Sequence, residues 1–237
     1  MEAAPDRQPT PGIDPDIDPG TDPGRTTPTR RRLLAAAGAL LGWGLAFGPK
    51  AQAAARLLTP AQTAGPFYPD ELPLDHDNDL LQVGDGPLAE GVPSDVYGQV
   101  RDASGAAVAG VQVEIWQCDA RGRYHHAGDT QAVAADPHFQ GFGHTLTDTQ
   151  GRYRFRTIRP VAYPGRAPHI HFRLHGAAIQ PLTTQLYVQG EPGNAADGLF
   201  RHLQARGVES RVLADFAPSA TNAGTRRARW DIVVART

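Results

Sequence analysis

Two histidines separated by one residue are the feature of the sequence with the clearest chemical potential. His169 and His171 alternate with the apolar residues Ile170, Phe172 and Leu174. An extended strand sends alternate side chains to opposite faces, so both imidazoles would lie on one face and could share a metal ion. The same spacing is also typical of surface or hydrogen-bonded histidines. The pair alone therefore leaves a metal site and a structural role both open.

Tyrosine is the ligand type that remains available near this pair. The chain has one cysteine, Cys118, and no acidic residue stands near the histidines at the spacing of a two-histidine, one-carboxylate site. Tyr163 precedes His169 by six residues, and Tyr124 follows the apolar segment that ends at Cys118. Because a phenol has a pKa of about 10, it ligates as phenolate only beside a strong cation, such as ferric iron. Ordinary packing of both tyrosines stays open as an alternative.

Short alternating segments separated by turns must position these side chains. The segment 111–116 alternates apolar and polar residues, which predicts a strand with one buried face. Further strands are predicted at residues 152–157, 169–174, 183–188 and 230–235. Residues 96–100 and the turn at 102–105 predict a hairpin with the first strand, and 195–205 offers the one plausible helix. We therefore expect an all-β fold, an antiparallel β-sandwich with long loops forming a metal site.

The composition narrows the class of protein. The 237 residues carry a formal net charge of −2 and are 40% hydrophobic, which suits one domain with a sizeable core. One cysteine excludes an internal disulfide scaffold, and the near-neutral charge balance argues against a nucleic-acid partner. The sequence contains no phosphate-binding glycine loop and no nucleophile elbow. Nucleotide-binding and hydrolase functions are therefore disfavoured.

The first part of the chain is expected to serve export. Residues 1–28 repeat Asp-Pro and hold few large apolar side chains, which predicts a disordered Pro/Asp-rich tail. Residues 29–55 combine three adjacent arginines, a short apolar run and an Ala-Gln-Ala site. This combination predicts a twin-arginine-type export signal, with the twin-arginine export machinery as a partner. A membrane anchor is the alternative, but the run is shorter than the roughly 18–20 residues that span a bilayer.

Export has consequences for the remaining chain. Cleavage after Ala53 would leave residues 54–237, which is 184 of the 237 residues, in the periplasm or outside the cell. The catalytic domain is expected over residues 56–237. The twin-arginine route carries folded proteins, typically with a metal or cofactor already bound. A lone cysteine suits such a protein, because its stability would not depend on disulfides.

Several motifs occur in the order found in one enzyme family. They are TPAQTAGPFY from Thr59, VEIWQCD from Val113, GRYHH from Gly122, DPHFQGFG from Asp136, TDTQGRYRFRTIRP from Thr147, RAPHIHF from Arg166 and TTQLY from Thr183. Over about residues 59–190 the chain resembles the intradiol ring-cleavage dioxygenases, the group of protocatechuate 3,4-dioxygenase and catechol 1,2-dioxygenase. The resemblance implies an antiparallel β-sandwich with a non-haem ferric iron, Fe(III). The implied iron ligands are Tyr124, Tyr163, His169 and His171.

The resemblance also implies an activity. A catechol-type substrate would bind the iron and react with O2, cutting the ring between its two hydroxyl-bearing carbons to give a cis,cis-muconate-type product. Tyr163 matches a tyrosine that the substrate displaces and that accepts a substrate proton. Arg166 matches an arginine beside the substrate, where its charge would stabilise anionic intermediates. Gln185 matches a glutamine near the iron, although an ordinary polar strand residue is the alternative.

Four residues are expected to contact the substrate. Gly65, Pro66 and Tyr68 match a segment that borders the substrate pocket in the family, and Arg166 is the fourth. A solvent-facing loop arginine is the alternative for Arg166. Gly165 occupies a place where protocatechuate enzymes carry a tryptophan, which would open one wall of the pocket and argues against protocatechuate as the substrate.

Two further alternatives stay open at this stage. The chain could be a non-catalytic exported β-sandwich binding module, although such a module has no use for a set of two tyrosines and two histidines. It could also be an inactive relative or bind a different metal. A self-sufficient single subunit and a homo-oligomer are both compatible with the sequence. Trp116 is expected in the core, and Cys118 is expected to be a buried thiol.

Overall fold

Strands account for most of the regular structure in the computed structural model, which describes residues 57–237. Within these residues the one α-helix is α1 (Gly198–Ala205), and two short 3-10 helices cover Pro192–Ala196 and Glu209–Val212. The ten strands of this part of the chain are β1 (Pro93–Asp102), β2 (Gln112–Trp116), β3 (Phe142–Leu146), β4 (Arg152–Ile158), β5 (His169–His175), β6 (Leu182–Val188), β7 (Leu213–Ala214), β8 (Ala217–Pro218), β9 (Arg226–Arg229) and β10 (Ile232–Val234).

The strands form two five-stranded sheets. In the first sheet, β1 pairs with β4 along one edge and with β9 and then β10 along the other, and β8 extends β9. The second sheet has the order β3-β2-β5-β6-β7. Its central strand, β5, is antiparallel to the neighbouring β2, with Trp116 opposite His171. The strand that carries both histidines therefore lies between two neighbours, which hold its backbone in place.

The two sheets share one hydrophobic core. Val96 of β1 and Phe155 of β4 come from the first sheet, and Ile115 of β2 and Phe172 of β5 come from the second. The rings of Phe155 and Phe172 meet edge to face, with centroids 6.4 Å apart. Because strand side chains alternate, burying Phe172 on this face directs His171 to the other face of the second sheet.

Strands dominate the described residues, as the predicted all-β fold requires, with a few short helices added, but the prediction of an antiparallel sandwich is wrong for three pairings. β9 and β10 both run parallel to β1, and β7 runs parallel to β6. β7, β9 and β10 are reached only after the helical segment and its following loops. Long connections allow a strand to enter a sheet in either direction, whereas the short turns used for the prediction join antiparallel neighbours.

Two local predictions also differ from the structure. The predicted hairpin between β1 and β2 does not form, since the chain returns from the turn only to Val108, which donates to the Val100 carbonyl, and then crosses to the second sheet. The α-helix starts at Gly198 rather than at Ala195. The preceding residues form a 3-10 helix that ends where Asp197 adopts extended backbone, with φ −74° and ψ 120°.

The predicted tail at residues 1–28 and export signal at 29–55 lie outside the described residues. Within residues 57–237, the helices are too short and not apolar enough to cross a membrane.

Candidate metal centre

Strand β5 brings the two predicted histidine ligands together. His169 and His171 are both buried, and their Nε2 atoms lie 3.2 Å apart. Their rings meet nearly edge to face, with centroids 4.8 Å apart. The strand period of two therefore produces the shared orientation that the sequence predicts.

The tautomer of His169 follows from its contact with the Ala167 carbonyl. His169 Nδ1 lies 2.6 Å from the carbonyl oxygen of Ala167. A carbonyl only accepts, so Nδ1 carries the proton and donates it, which leaves the Nε2 lone pair of the neutral ring free. On the other ring, Nδ1 of His171 is buried without a partner, and the ring stacks on Trp116 at 4.7 Å.

Both imidazoles are neutral at neutral pH. Burial, followed by the positive charge of Arg166, lowers the pKa of His169 to about 4. Burial also lowers the pKa of His171 well below its ordinary value, and the neighbouring His169 and Arg166 act in the same direction. Neutral imidazole is the form that binds metal ions.

The two predicted tyrosines lie beside the histidines. The ring of Tyr124 is 5.4 Å from that of Tyr163 and 6.4 Å from that of His171, and Tyr163 is 5.6 Å from His169. The Tyr124 hydroxyl is buried and has no hydrogen-bond partner. Phe67 stacks on the Tyr124 ring at 4.6 Å. The rings of two tyrosines and two histidines, which come from three separate segments of the sequence, thus lie together.

The loop that carries Tyr124 is held by a buried carboxylate. Asp129 accepts from the Tyr124 backbone N–H at 2.8 Å and pairs with the guanidinium of Arg123 at 2.9 Å. Burial of Asp129 would raise its pKa, but its hydrogen bonds and Arg123 hold the pKa below the usual range. The carboxylate is therefore ionised and fixes the loop immediately beside the phenol.

The donor set fits a hard, highly charged cation. Burial raises the pKa of Tyr163 and raises that of Tyr124 well above its ordinary value, so neither phenol ionises by itself. Residues 57–237 gather no group of three or more His, Cys, Asp or Glu side chains for a metal. The cluster instead offers two imidazole nitrogens and two phenol oxygens, one of them unpartnered. Ferric iron would ionise these phenols and satisfy the orphaned oxygen.

All three guanidinium nitrogens of Arg166 donate hydrogen bonds to neighbouring side chains. Nε donates to Asp197 at 2.8 Å, and Nη1 donates to the Tyr163 hydroxyl at 3.3 Å. Nη2 donates to Gln185 at 2.6 Å and to the Tyr187 hydroxyl at 3.1 Å. The arginine is therefore not a free solvent-facing loop residue, and its charge lies beside one of the candidate ligands.

Gln185 lies in the same network. Its side chain is fully buried on β6, and its Nε2 donates to the Thr63 carbonyl at 2.9 Å. Its Oε1 accepts from both Arg166 and Tyr187. The glutamine thus joins the segment before Gly65 to the guanidinium.

The three residues predicted to border the substrate lie in one segment but differ in their contacts. Gly65 has a φ of +69°, and a Cβ there would lie 3.4 Å from His171 Cε1. Pro66 is exposed. The Tyr68 hydroxyl instead donates to Glu114 at 3.0 Å, and its ring lies perpendicular to Trp116. Gly65 therefore adjoins the cluster directly, whereas Tyr68 anchors the segment from behind Trp116.

Cavity volume by itself would not identify this cluster of tyrosines and histidines. A groove of about 780 Å³ lies on the first sheet, lined by Tyr97, Arg152 and Arg154 among others, and no histidine lines it. A cavity of about 110 Å³ borders Tyr124 and Trp116. The gathered donors, rather than the larger groove, identify the candidate site.

Sequence reasoning missed three residues of the network. Trp116, expected only in the core, stacks on His171. Tyr187 stands two residues after Gln185, so strand periodicity could have placed both on one face. Asp197 precedes a helix at the N-cap position, a signal that was hidden because the predicted helix began two residues earlier.

Comparison with known proteins identifies the family of the chain. The Dioxygenase_C family model, described as dioxygenase, matches residues 63–236. Protocatechuate 3,4-dioxygenase beta chain from Burkholderia cepacia is 40% identical over 161 residues, which cover 64% of this chain and 67% of that protein. Hydroxyquinol 1,2-dioxygenase from Corynebacterium glutamicum is 29% identical, over 75% of this chain and 64% of that protein.

A solved structure is also similar. The dioxygenase domain of a dioxygenase and carbohydrate-binding protein fusion from Streptomyces sp. SirexAA-E shares 30% identity at a TM-score of 0.60, covering 76% of this chain and 99% of that one. The chain spans two thirds or less of most of the curated relatives, for example 46% of catechol 1,2-dioxygenase from Candida albicans. The family match and these relatives show that the chain belongs to the intradiol ring-cleavage dioxygenases, a family of oxidoreductases.

Proposed function

We propose that the chain is a non-haem Fe(III)-dependent intradiol dioxygenase. It cleaves catechol-type rings with O2 between the two hydroxyl-bearing carbons and releases cis,cis-muconate-type products. The observation that carries this proposal is the convergence of Tyr124, Tyr163, His169 and His171, with neutral imidazoles and a buried phenol oxygen that lacks a partner. The names of the relatives, which act on protocatechuate, hydroxyquinol and catechol, support the same chemistry.

Four side chains would hold the iron, and they differ in accessibility. When bound, Fe(III) supplies a Lewis acid that ionises the phenols and the catechol and makes the ring reactive toward O2. Tyr124 is buried, whereas Tyr163 is partly exposed. Tyr163 would therefore be the more accessible of the two tyrosines to an incoming catechol, in line with the displaced tyrosine that the family resemblance implies. Its oxygen would then accept a proton from a substrate hydroxyl, which is general-base chemistry at Tyr163 Oη.

Arg166 supplies a fixed positive charge beside the Tyr163 oxygen. Its Nη1 donates to Tyr163 Oη at 3.3 Å, so it stabilises negative charge on that oxygen or on a substrate oxygen that replaces it. Arginine keeps its proton at every relevant pH. Arg166 thus orients and stabilises anionic groups without taking part in proton transfer.

The segment from Thr63 to Phe67 lies against two of the candidate ligands. Gly65 leaves space beside the imidazole of His171, and Phe67 covers the Tyr124 ring. A side chain at residue 65 would occupy space next to a candidate ligand nitrogen. We infer that this segment forms one wall of the substrate pocket.

The test is to load the purified protein with iron and record its colour and its O2 consumption. Tyrosinate coordination to Fe(III) should give a visible charge-transfer band, and catechol should trigger O2 uptake with formation of a ring-opened product. A colourless iron-loaded protein that takes up no O2 with any catechol tested would refute the proposal. Substrate binding without O2 uptake would instead support a non-catalytic binding module.

A comparison of substrates tests which ring substituents the enzyme accepts. O2 uptake is measured with catechol, protocatechuate, hydroxyquinol and a chlorocatechol under the same conditions. Gly165 has a φ of +81°, and a Cβ there would meet no atom within 4 Å apart from those of its chain neighbours, so residue 165 leaves open space where a tryptophan side chain would stand. We expect substrates other than protocatechuate to be preferred.

We also propose export through the twin-arginine route to the periplasm or the cell exterior. The proposal rests on the adjacent arginines from Arg30 to Arg32, the apolar run that follows and the Ala-Gln-Ala site ending at Ala53. The buried Cys118 thiol is compatible, because burial raises its pKa to about 12 and leaves it unreactive. Replacing Arg30 and Arg31 by lysine should retain the protein in the cytoplasm on fractionation, whereas unchanged export would contradict the proposal.

A further inference from the structure

A buried carboxylate lies where helix α1 meets the loop before β5. The Asp197 side chain has no exposed surface, although it belongs to neither the predicted ligands nor the predicted substrate contacts. Burying a carboxylate is costly unless hydrogen bonds and an opposite charge compensate it. The partners that compensate Asp197 therefore indicate its role.

The two oxygens of Asp197 serve different elements. Oδ1 accepts from the backbone N–H groups of Leu199 and Phe200, at 2.8 and 3.0 Å, and so caps α1. Oδ2 accepts from Arg166 Nε at 2.8 Å and from the backbone N–H of Ala167 at 2.9 Å. Burial would raise the pKa of Asp197, but these hydrogen bonds and the arginine hold it below the usual range.

The contacts through Oδ2 determine where the guanidinium lies. With Nε held by Asp197, the two Nη groups face Tyr163, Gln185 and Tyr187. Ala167, whose N–H is also held by Asp197, accepts through its carbonyl from His169 Nδ1. The Asp197 carboxylate thus contacts Arg166 directly and is linked to His169, a candidate iron ligand, through the backbone of Ala167.

We propose that Asp197 is the positioning residue for Arg166. Its Oδ2 holds the guanidinium against the Tyr163 oxygen, and its Oδ1 anchors this arrangement to the N-terminus of α1. The catalytic consequence rests on the proposed dioxygenase function. The positioning itself is a property of the metal-free chain and can be measured there.

Two substitutions separate positioning from helix capping. D197S keeps a capping oxygen but has no second oxygen to reach Arg166. D197N keeps the shape, but its NH₂ group cannot accept from Arg166, and turning its carbonyl toward Arg166 would sacrifice the cap. The matched control is E191Q, which removes a carboxylate that pairs with Arg159 at 3.1 Å in the turn before Asp197.

The first measurement is the ¹⁵N NMR signal of the Arg166 Nε–H group in the metal-free protein, assigned by its disappearance in R166K. We expect a signal protected from solvent exchange in the wild type and in E191Q, and loss of that protection in D197S and D197N. The second is steady-state kinetics of the iron-loaded protein. There kcat/KM should fall about 10–100-fold in both Asp197 variants and stay within twofold in E191Q.

Each result leads to a decision. Unchanged Nε–H protection and unchanged kcat/KM in both variants, with only a loss of thermal stability, would show that Asp197 is a helix cap and overturn the inference. If the wild-type protein consumes no O2, the proposed function fails, and the NMR comparison alone still decides whether Asp197 positions Arg166. Loss of protection together with lower kcat/KM supports both.

Discussion

The Nε2 atoms of His169 and His171 face each other at 3.2 Å in the interior of the protein. The Nδ1–H group of His169 donates to the Ala167 carbonyl, so the Nε2 atom keeps a lone pair that can accept a hydrogen bond or bind a metal ion. A proton on His171 Nε2 satisfies that lone pair in the metal-free protein, and a metal ion would replace it. A proton and a metal ion therefore compete for the Nε2 lone pair of His169.

This arrangement predicts acid sensitivity of the metal-free protein. The folded-state pKa of His169 lies near 4, below the unfolded value of about 6.5, so the unfolded chain binds more protons between these values. The contribution to stability is complete above pH 6.5 and is lost as the pH falls toward 4. We expect the free energy of unfolding to fall by about 3 kcal/mol in this window, measured by urea denaturation.

The variant H169Q should remove part of this pH dependence. His202 provides the control, because it is exposed on α1 and H202Q should leave the dependence unchanged. A metal-free protein equally stable at pH 7 and pH 4.5 would contradict the buried, neutral state of the pair.

Removing the Tyr163 hydroxyl should slow turnover and bleach part of the visible band. Under the proposed function, Y163F takes away one phenolate ligand and the oxygen that accepts the substrate proton, while Tyr124 would remain to bind iron. Absorption spectra and O2 uptake of the iron-loaded variant test this. Y153F is the control, since the Tyr153 hydroxyl donates to the Trp230 carbonyl in the core. An unchanged spectrum and rate in Y163F would exclude Tyr163 as a ligand.

Replacing Arg166 by lysine should impair catalysis although the charge is retained. A lysine ammonium cannot contact Asp197, Tyr163 and Gln185 together, because it lacks the planar fork of the guanidinium. We expect kcat/KM to fall by about two orders of magnitude, as for the loss of an oriented donor at a developing anion. R159K is the matched control. Equal kinetics of R166K and wild type would argue for a purely structural arginine.

A methyl group at residue 65 should affect both stability and activity. G65A forces an L-residue into positive φ, at a cost of about 1–2 kcal/mol, and places its Cβ 3.4 Å from His171 Cε1. We expect kcat/KM to fall about tenfold because reacting groups are displaced. G190A has nearly the same φ, +74°, with open space around it, so it should lose stability without losing activity. Equal activity of the two variants would show that Gly65 matters only for the turn.

Several strands of both sheets could be predicted from alternation. The strands predicted at residues 111–116, 152–157, 169–174 and 183–188 all form, with bounds that differ by about one residue. The pairing of these strands could not be predicted, because alternation shows which side chains share a face but not which strand lies beside which. β1 illustrates the limit, since its partners β4, β9 and β10 are all distant in sequence.

The same division applies to the candidate site. His169 and His171 could be paired from the sequence because they belong to one strand, and the tyrosines were assigned through the family resemblance. Asp197 and Tyr187 were missed because their importance depends on contacts with Arg166, which lies 31 and 21 residues away along the chain.

The sequence by itself determined the types of donor available, the shared face of the two histidines and the family. Periodicity and motif order are local properties, so they can be recognised without a fold. Only the tertiary structure decided that Tyr124 lies unpartnered beside His171, that Arg166 faces Tyr163 and that one buried carboxylate holds this arginine. These relationships join segments separated by loops and sheets, and the packing of the whole domain sets their distances.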